Sequence, residues 1–111
     1  MAWSTNGKNA MLTYMGTQCG YMALYSDIAG TTEITGGTYA RKAITWGAAA
    51  NGSIAISNSP VFDVPAGATV RAQGVCTALT GGTQYGFDDV QAEAFGGAGT
   101  YTVTAFTGSI T

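Results

Sequence analysis

Acidic side chains form the only cluster in this chain that could take part in catalysis. Asp88 and Asp89 are adjacent, Glu93 follows close behind, and the chain contains no histidine. Two carboxylates about 5 to 10 Å apart could in principle hydrolyse a glycosidic bond. On an alternating strand, however, Asp88 and Asp89 point to opposite faces, and no base or orienting partner accompanies them. We therefore expect turn or solvated-surface positions for these residues, and a protein that is not an enzyme.

The patterns that would bind a metal or a nucleotide are incomplete. Cys19 and Cys76 fit no metal-ligand spacing, and the carboxylates match no EF-hand loop. The glycine-rich stretches GTTEITGG and FGGAG lack a phosphate-binding lysine and a following helix. We therefore expect no cofactor and no metal. Two buried apolar thiols are favoured over a disulfide bridge, because free cysteine is among the most buried residue types, but the sequence leaves the bridge open.

The charge balance argues against nucleic acid as a partner. The cations are Lys8, Arg41, Lys42 and Arg71, and the formal net charge is -2. A nucleic-acid-binding protein needs a basic patch or stripe, which these few residues do not supply. No apolar run has the length of a membrane-spanning helix, and the first residues, MAWSTNGKNA, lack the basic start and apolar core of a secretory signal. We expect neither a nucleic acid nor a membrane as a partner.

A surface with so few charges indicates close contact with other protein subunits. Only 9% of the residues are charged, against about 25% in a typical globular domain, so copies repel one another weakly. Trp3 either completes the core or docks on a neighbouring subunit, and we favour docking. Arg41, in phase with Tyr39, is a candidate for a buried ion pair or an interface contact. The candidate interface residues are Trp3, Asn6, Lys8, Arg41 and Trp46.

Short segments rich in β-branched and aromatic residues, separated by turn-forming residues, follow one another from Gly20 onward. They predict eight strands, at residues 21–26, 38–46, 53–56, 61–64, 68–77, 83–87, 90–95 and 100–107. In the segment before them, apolar spacing in NAMLTYM (9–15) predicts one or two helical turns, capped by Thr5, Asn6 or Gly7 and ended by Gly16. The length fits one domain, residues 1–111, with an N-terminal arm at 1–19 and a sandwich at 20–111.

Alternation of apolar and polar residues is clearest near the end of the chain. Tyr101, Val103 and Ala105 are predicted to share one face, with threonines on the other. Phe106 is in phase with the threonines, so the pattern breaks there in a bulge, or Phe106 covers a neighbouring element. Many short antiparallel strands are best closed as two packed sheets. We therefore predict an all-β fold, a single antiparallel β-sandwich (jelly-roll-like or Ig-like) of about eight strands with a short N-terminal helical segment.

Four blocks of sequence resemble a family of small virion proteins from phages of actinobacteria: GGTYARKAITWGAA, SNSPVFDVPAGATV, TGGTQYGFDDV and FGGAGTYTVT. The segment WSTNGKNAML is similar too, so the resemblance spans nearly the whole chain. It departs from the family pattern at residues 13–34 and 71–78, which contain Cys19 and Cys76. The resemblance implies a bacteriophage virion component assembled in the host cytoplasm. Proteins of this kind are described as minor tail or tail-fibre proteins, and similar β-domains decorate capsids.

Within the virion, the sequence leaves two locations open. We favour capsid decoration, because fibres are usually longer, and 111 residues suit a repeated surface protein. Its partner would be the major capsid protein, whose outer surface it would reinforce as a homo-oligomer or a multi-copy array. The alternative is a minor tail or tail-fibre protein that contacts tail proteins and attaches to the host surface, where exposed tyrosines would stack on carbohydrate.

Overall fold

The computed structural model describes residues 1–110, which form one helix followed by eight strands. The elements are α1 (Thr5–Gln18), β1 (Tyr21–Tyr25), β2 (Lys42–Ala43), β3 (Ser53–Ala55), β4 (Val61–Val64), β5 (Thr69–Cys76), β6 (Gln84–Ala94), β7 (Gly99–Thr102) and β8 (Thr107–Ser109). A four-stranded sheet has the order β2-β1-β5-β6, and β3–β8 and β4–β7 form two smaller sheets, all with antiparallel neighbours. The predicted all-β, sandwich-like fold is confirmed, and its sheets are open rather than closed into a barrel.

Strand β1 is buried on both faces, which explains its unbroken apolar sequence, YMALY. Met22 and Leu24 enter the main core, to which β4 contributes Phe62 and Val64. The β4–β7 sheet therefore packs against this face of the four-stranded sheet. On the other face, a smaller buried cluster is formed by Ala23, Tyr25, Ala72 and Cys76. Because successive side chains point to opposite faces, β1 contributes residues to two separate buried clusters.

The N-terminal helix is longer than the sequence predicted. It begins after Ser4, whose Oγ accepts a hydrogen bond of 3.1 Å from the Gly7 N–H, so Ser4 and not a later residue is the N-cap. The helix also continues through Gly16, which was expected to end it. A Cβ added there would lie 3.4 Å from both Trp46 and Ile54, so the missing side chain allows the helix to pack closely. Tertiary contact outweighs the low helix propensity of glycine at this position.

Two predicted strands merge and one divides. Residues 83–87 and 90–95 were predicted as separate strands, but β6 runs through Asp88 and Asp89. An edge strand can carry charges in its middle because they reach solvent. The predicted strand 100–107 divides after Thr102, because Val103 and Phe106 are both buried. Residues three apart cannot face the same side of one continuous strand, so the chain leaves the strand conformation at residues 103–106, earlier than the break considered at Phe106. Phe106 also covers a neighbouring element, because it packs against Trp46.

The predicted strand at 38–46 is reduced to the two residues of β2. The residues that follow β2 turn away from the sheet: the Ser57 N–H donates to the Thr45 carbonyl at 2.8 Å, and Trp46 forms an isolated antiparallel bridge with Ile56. A side chain bonds to both sides of this departure. The Asn58 side-chain amide donates to the Ala43 carbonyl at 3.2 Å and accepts from the Thr45 N–H at 3.0 Å. One edge of the four-stranded sheet is therefore closed by Asn58.

Both cysteines are free and buried, which confirms the prediction of two buried thiols. Cys19 belongs to the main core and Cys76 to the smaller cluster. Burial, with a smaller contribution from Cys76, raises the pKa of the Cys19 thiol to about 11. Because the thiolate is the reactive form, this shift makes Cys19 a poor nucleophile. No helix among residues 1–110 combines the length and the apolar character needed to cross a membrane.

Glycines of the two adjacent strands β5 and β6 provide a first test of the packing. A Cβ at Gly74 would lie 2.8 Å from Tyr25 Cε2 and 3.1 Å from the Gly86 carbonyl oxygen, whereas a Cβ at Gly86 would meet nothing within 4 Å. We expect Gly74→Ala to lower the free energy of unfolding by about 1–3 kcal/mol through overpacking. The matched change Gly86→Ala should be neutral or slightly stabilising. Urea unfolding of the two variants measures the difference, and equal effects would contradict this packing.

Candidate protein-binding surfaces

An ion pair with a fixed geometry lies where the long segment 26–41 returns to the sheet. Arg41 Nη2 is 2.9 Å from Glu33 Oε1, and Arg41 Nε donates to Glu33 Oε2 at 3.0 Å, so the contact is bidentate. Arg41 Nη1 donates to the carbonyls of Ala78 and Gly81, at 2.9 and 2.7 Å. The guanidinium therefore joins this segment to the β5–β6 turn. Of the two roles considered for Arg41, the structure shows the ion pair, and the interface contact stays a prediction.

Tyr39 extends the same network into the core. Its hydroxyl donates to Glu33 Oε2 at 2.8 Å and accepts from the Leu24 N–H at 2.9 Å, and its ring stacks on Phe62 with centroids 6.3 Å apart. Burial of Glu33 alone would raise the pKa of its carboxyl, but the hydrogen bonds from Arg41 and Tyr39 and the Arg41 charge hold that pKa below its usual value. The hydrogen bonds to Glu33 likewise raise the pKa of Arg41.

The N-terminal residues present a different kind of surface. Trp3 precedes the helix and is 55% exposed, and Tyr14 and Met11 on α1 are 64% and 36% exposed. Tyr14 lies about 200° around the helix from the buried Leu12, so Tyr14 points away from the core. We call Trp3, Met11 and Tyr14 the N-terminal surface. No charged residue occurs among them.

Two of the candidate interface residues flank that surface. Asn6 is exposed on the first turn of α1. Lys8 is half-buried, and its aliphatic stem lies beside Gly52, so it faces the turn before β3. The next residue, Asn9, accepts a hydrogen bond of 2.9 Å from the Gly52 N–H through Oδ1. These contacts fasten the inner side of the helix to the β3 turn and leave its outer side free.

The Trp46 side chain makes its contacts within the domain. Its ring is half-buried and packs edge-on against Phe106, with centroids 6.2 Å apart and planes at 73°. Its Nε1 donates to the Cys19 carbonyl at 2.7 Å. Trp46 thus connects the end of α1 to the segment before β8. Of the five candidates, Trp3, Asn6 and Lys8 share the N-terminal region, while Arg41 and Trp46 bind elsewhere in the fold.

A surface along β6 was missed by the sequence analysis. A groove of about 350 Å³ lies between α1, β6 and β8, with Leu12, Met15 and Phe106 among its apolar lining. Gly86 and Asp88 line it from β6. A glycine inside a strand often marks a close approach by another backbone or a ligand, so Gly86 was the signal in the sequence that could have revealed this surface.

Exposure separates the tyrosines that could stack on a ligand from those that stabilise the fold. Tyr14 and Tyr85 are exposed, at 64% and 50%, whereas Tyr25 is buried and Tyr39 is part of the Glu33 network. Burial and a hydrogen bond with Cys76 raise the pKa of Tyr25 to about 12. Among residues 1–110, no group of three or more histidine, cysteine or acidic residues is arranged to hold a metal ion.

These observations describe an all-β domain with an exposed apolar surface at its N-terminus and an acidic edge strand. Residues 13–109 match a family model described as Gp80, podophage GP4 fiber I protein gp80, so the chain belongs to this family of phage fibre proteins. Neither a curated protein nor a solved structure matches the chain significantly. The family identifies the protein as a bacteriophage virion component, as the resemblance implied. It names a podophage fibre, and it does not extend to the expected restriction to phages of actinobacteria.

Substitution of Glu33 tests the polar network through its pH dependence. The folded pKa of Glu33 is below the unfolded value of about 4.5, so its charge stabilises the fold fully above about pH 4.5, and this contribution is lost as the pH falls through the lower folded pKa. We expect Glu33→Gln to lower the free energy of unfolding at neutral pH by about 1–3 kcal/mol. The deficit should shrink on acidification, as measured by urea unfolding from about pH 7 to about pH 3.

Asp27 provides the internal reference for that experiment. Its pKa is also lowered, by hydrogen bonds from Thr31 and Thr32, and it titrates in both proteins. The difference in unfolding free energy between wild type and Glu33→Gln therefore reports the contribution of Glu33 alone to the pH dependence. A deficit that stays constant across the pH range would show that the charge of Glu33 does not stabilise the fold.

Proposed function

We propose that this protein is a non-enzymatic structural subunit of a podophage fibre. The observation that carries the proposal is the match of residues 13–109 to the fibre family. It favours the tail-fibre alternative over the capsid decoration that the sequence analysis preferred. The ionisable groups with shifted pKa values support a structural role. The side chains of Glu33, Tyr39 and Arg41 form hydrogen bonds with one another and with the backbone. The partners would then be tail proteins and further copies of the chain.

Host attachment is the finer role that this proposal includes. Tyr85 presents an exposed ring, which is suited to stacking on sugars, while the other tyrosines pack within the fold or belong to the N-terminal surface. We infer that carbohydrate on the host surface is the ligand class for such a fibre. The low charge of the chain fits an uncharged ligand.

The location in the virion can be tested on purified particles. We expect antibodies to the chain to label the tail region in negative-stain images. Quantitative gel densitometry should give a small multiple of the tail copy number, far below that of the major capsid protein. Labelling spread over the head, with a copy number comparable to that of the major capsid protein, would contradict the proposal and support capsid decoration.

The N-terminal surface supplies the contact through which the subunit would join the particle. Trp3 is 55% exposed and makes no hydrogen bond through its indole among residues 1–110. Tryptophan is enriched among residues that anchor protein interfaces, and charged residues are depleted at their centres. Trp3, Met11 and Tyr14 meet both criteria, so we propose that they contact a neighbouring tail subunit.

The chain's two tryptophans give a matched pair for testing that contact. Trp3→Ala should reduce incorporation into particles by about tenfold, as expected for an anchor residue, and leave the urea midpoint unchanged. Trp46→Ala should instead lower the free energy of unfolding by about 2–4 kcal/mol, because it removes the contact with Phe106 and the hydrogen bond to Cys19. If Trp3→Ala unfolds the domain, or folds and is incorporated normally, Trp3 is not the anchor.

A further inference from the structure

Strand β6 leaves one edge of the four-stranded sheet open. It pairs with β5 on one side and with no strand on the other among residues 1–110. Residues 84–94 take part in no further backbone hydrogen bond in that range. At about 3.4 Å per residue the strand is about 37 Å long, against a longest molecular dimension of 47 Å. The opposite edge, at β2, is closed by Asn58. A row of free N–H and C=O groups of this length is a template for an added strand.

Next to this edge lies the groove between α1, β6 and β8. Gly86 is the cross-strand partner of Val75, a main-core residue, so both face the groove side of the sheet. A Cβ at Gly86 would meet nothing within 4 Å, whereas Gly74 on β5 has no room for one. Nothing among residues 1–110 therefore lies where a side chain at position 86 would begin. The space above it is suited to a side chain from an added strand, because strand addition gains affinity from the backbone and specificity from pockets for alternate side chains.

Charge indicates what the added strand must carry. Asp88, Asp89 and Glu93 lie on β6, and the only ion pair among residues 1–110 joins Arg41 to Glu33, so these three carboxylates have no ionic partner there. Asp88 faces the groove side with its partner Gln73, and Asp89 faces the other side with Ala72. An added strand would meet negative charge on both of its faces. Lysine or arginine opposite these positions would be favourable.

The same carboxylates disfavour a second copy of the chain as the occupant. Asp89 is the midpoint of Gln84–Ala94, so full-length antiparallel pairing of two β6 strands would place Asp89 directly opposite its counterpart. Full-length parallel pairing in register would align all three carboxylates with their own copies. Like charges directly opposite one another are destabilising, and charges on an edge strand are a known protection against self-pairing.

We propose that β6 is a strand-addition site for an extended segment of another virion polypeptide, with basic side chains opposite Asp88 and Asp89 and an apolar side chain above Gly86. The site does not depend on whether the subunit lies in a fibre or on the capsid. Its own carboxylates keep the edge free until such a segment arrives. The occupant adds a fifth strand next to β6, and its backbone satisfies the open row of hydrogen-bonding groups.

Two synthetic peptides test the site on the full chain. The first is an acetylated and amidated octapeptide, Thr-Val-Thr-Lys-Lys-Thr-Val-Thr, which in either strand direction places a valine above Gly86 when its two lysines lie opposite Asp88 and Asp89. The second replaces both lysines with glutamate. Titrated into the isotopically labelled protein to about 1 mM, the basic peptide should shift the amide resonances of residues 84–94 and the groove. The acidic peptide should cause no shift. Absence of shifts with the basic peptide, shifts elsewhere, or equal effects of both peptides would overturn the proposal. Concentration-dependent shifts at β6 without peptide would also overturn it, because they would identify a second copy as the occupant.

Three variants separate the contributions of charge and space. Asp88→Asn/Asp89→Asn should weaken binding of the basic peptide by about fivefold, the range expected for exposed ion pairs. Asp63→Asn, on β4 and away from β6, also removes a carboxylate charge and should leave binding unchanged. Gly86→Leu should fold normally, since open space lies above it, and should weaken binding by at least about tenfold by occupying the groove. Wild-type affinity in Gly86→Leu, or equal losses in the two charge variants, would overturn the proposal.

Discussion

The bidentate contact between Glu33 and Arg41 holds the least regular part of the chain in place. Segment 26–41 contains no strand, and it returns to β1 through the Tyr25–Glu33 bridge and the bond from the Leu24 N–H to Tyr39. Arg41 then reaches the carbonyls of the β5–β6 turn. One guanidinium therefore fixes the positions of a long loop, the central strands and the start of β6. Because the pair is largely shielded from solvent, with exposures of 12% and 26%, removal of one partner leaves the other without its hydrogen bonds.

A small domain with few charges has to control which of its surfaces associate. The β2 edge is closed by an asparagine side chain, and the long β6 edge carries half of the six carboxylates in the chain. Meanwhile the N-terminal surface is apolar and uncharged. Charge is therefore concentrated at the edge where uncontrolled strand pairing would be most favourable, and absent from the surface where a subunit contact would benefit from burial.

Membership of a phage fibre family gives these surfaces a physical context. A virion subunit must remain soluble as a single chain and then bind its neighbours during assembly. An edge protected by like charges, together with an exposed tryptophan outside the core, allows both behaviours in one fold. The N-terminal surface and β6 involve different residues and different chemistry, so each can be altered without the other.

The sequence by itself determined the class of fold and most strand positions. Strands β3, β4 and β5 follow from local patterns of β-branched residues between turn-forming ones, and β1 from its apolar run. The break at Phe106 could also be inferred, because an alternating strand cannot bury residues of opposite phase. The sequence favoured two buried thiols because cysteine is generally buried, and it left a disulfide bridge open until the structure showed both cysteines free. For Arg41 the sequence left an ion pair and an interface contact as alternatives, and the structure supplied Glu33 as the ionic partner.

Only the tertiary structure decided the extent of α1, the union of two predicted strands in β6 and the partner of each polar residue. Gly16 continues the helix because Trp46 and Ile54 pack against it, and both are distant in sequence. Asp88 and Asp89 lie within a strand because β6 is an edge strand among residues 1–110, which local propensity cannot reveal. The space above Gly86 depends on where α1 and β8 end relative to β6. Local patterns encode backbone preference and phase, whereas exposure, edges and grooves arise from contacts between residues far apart in the chain.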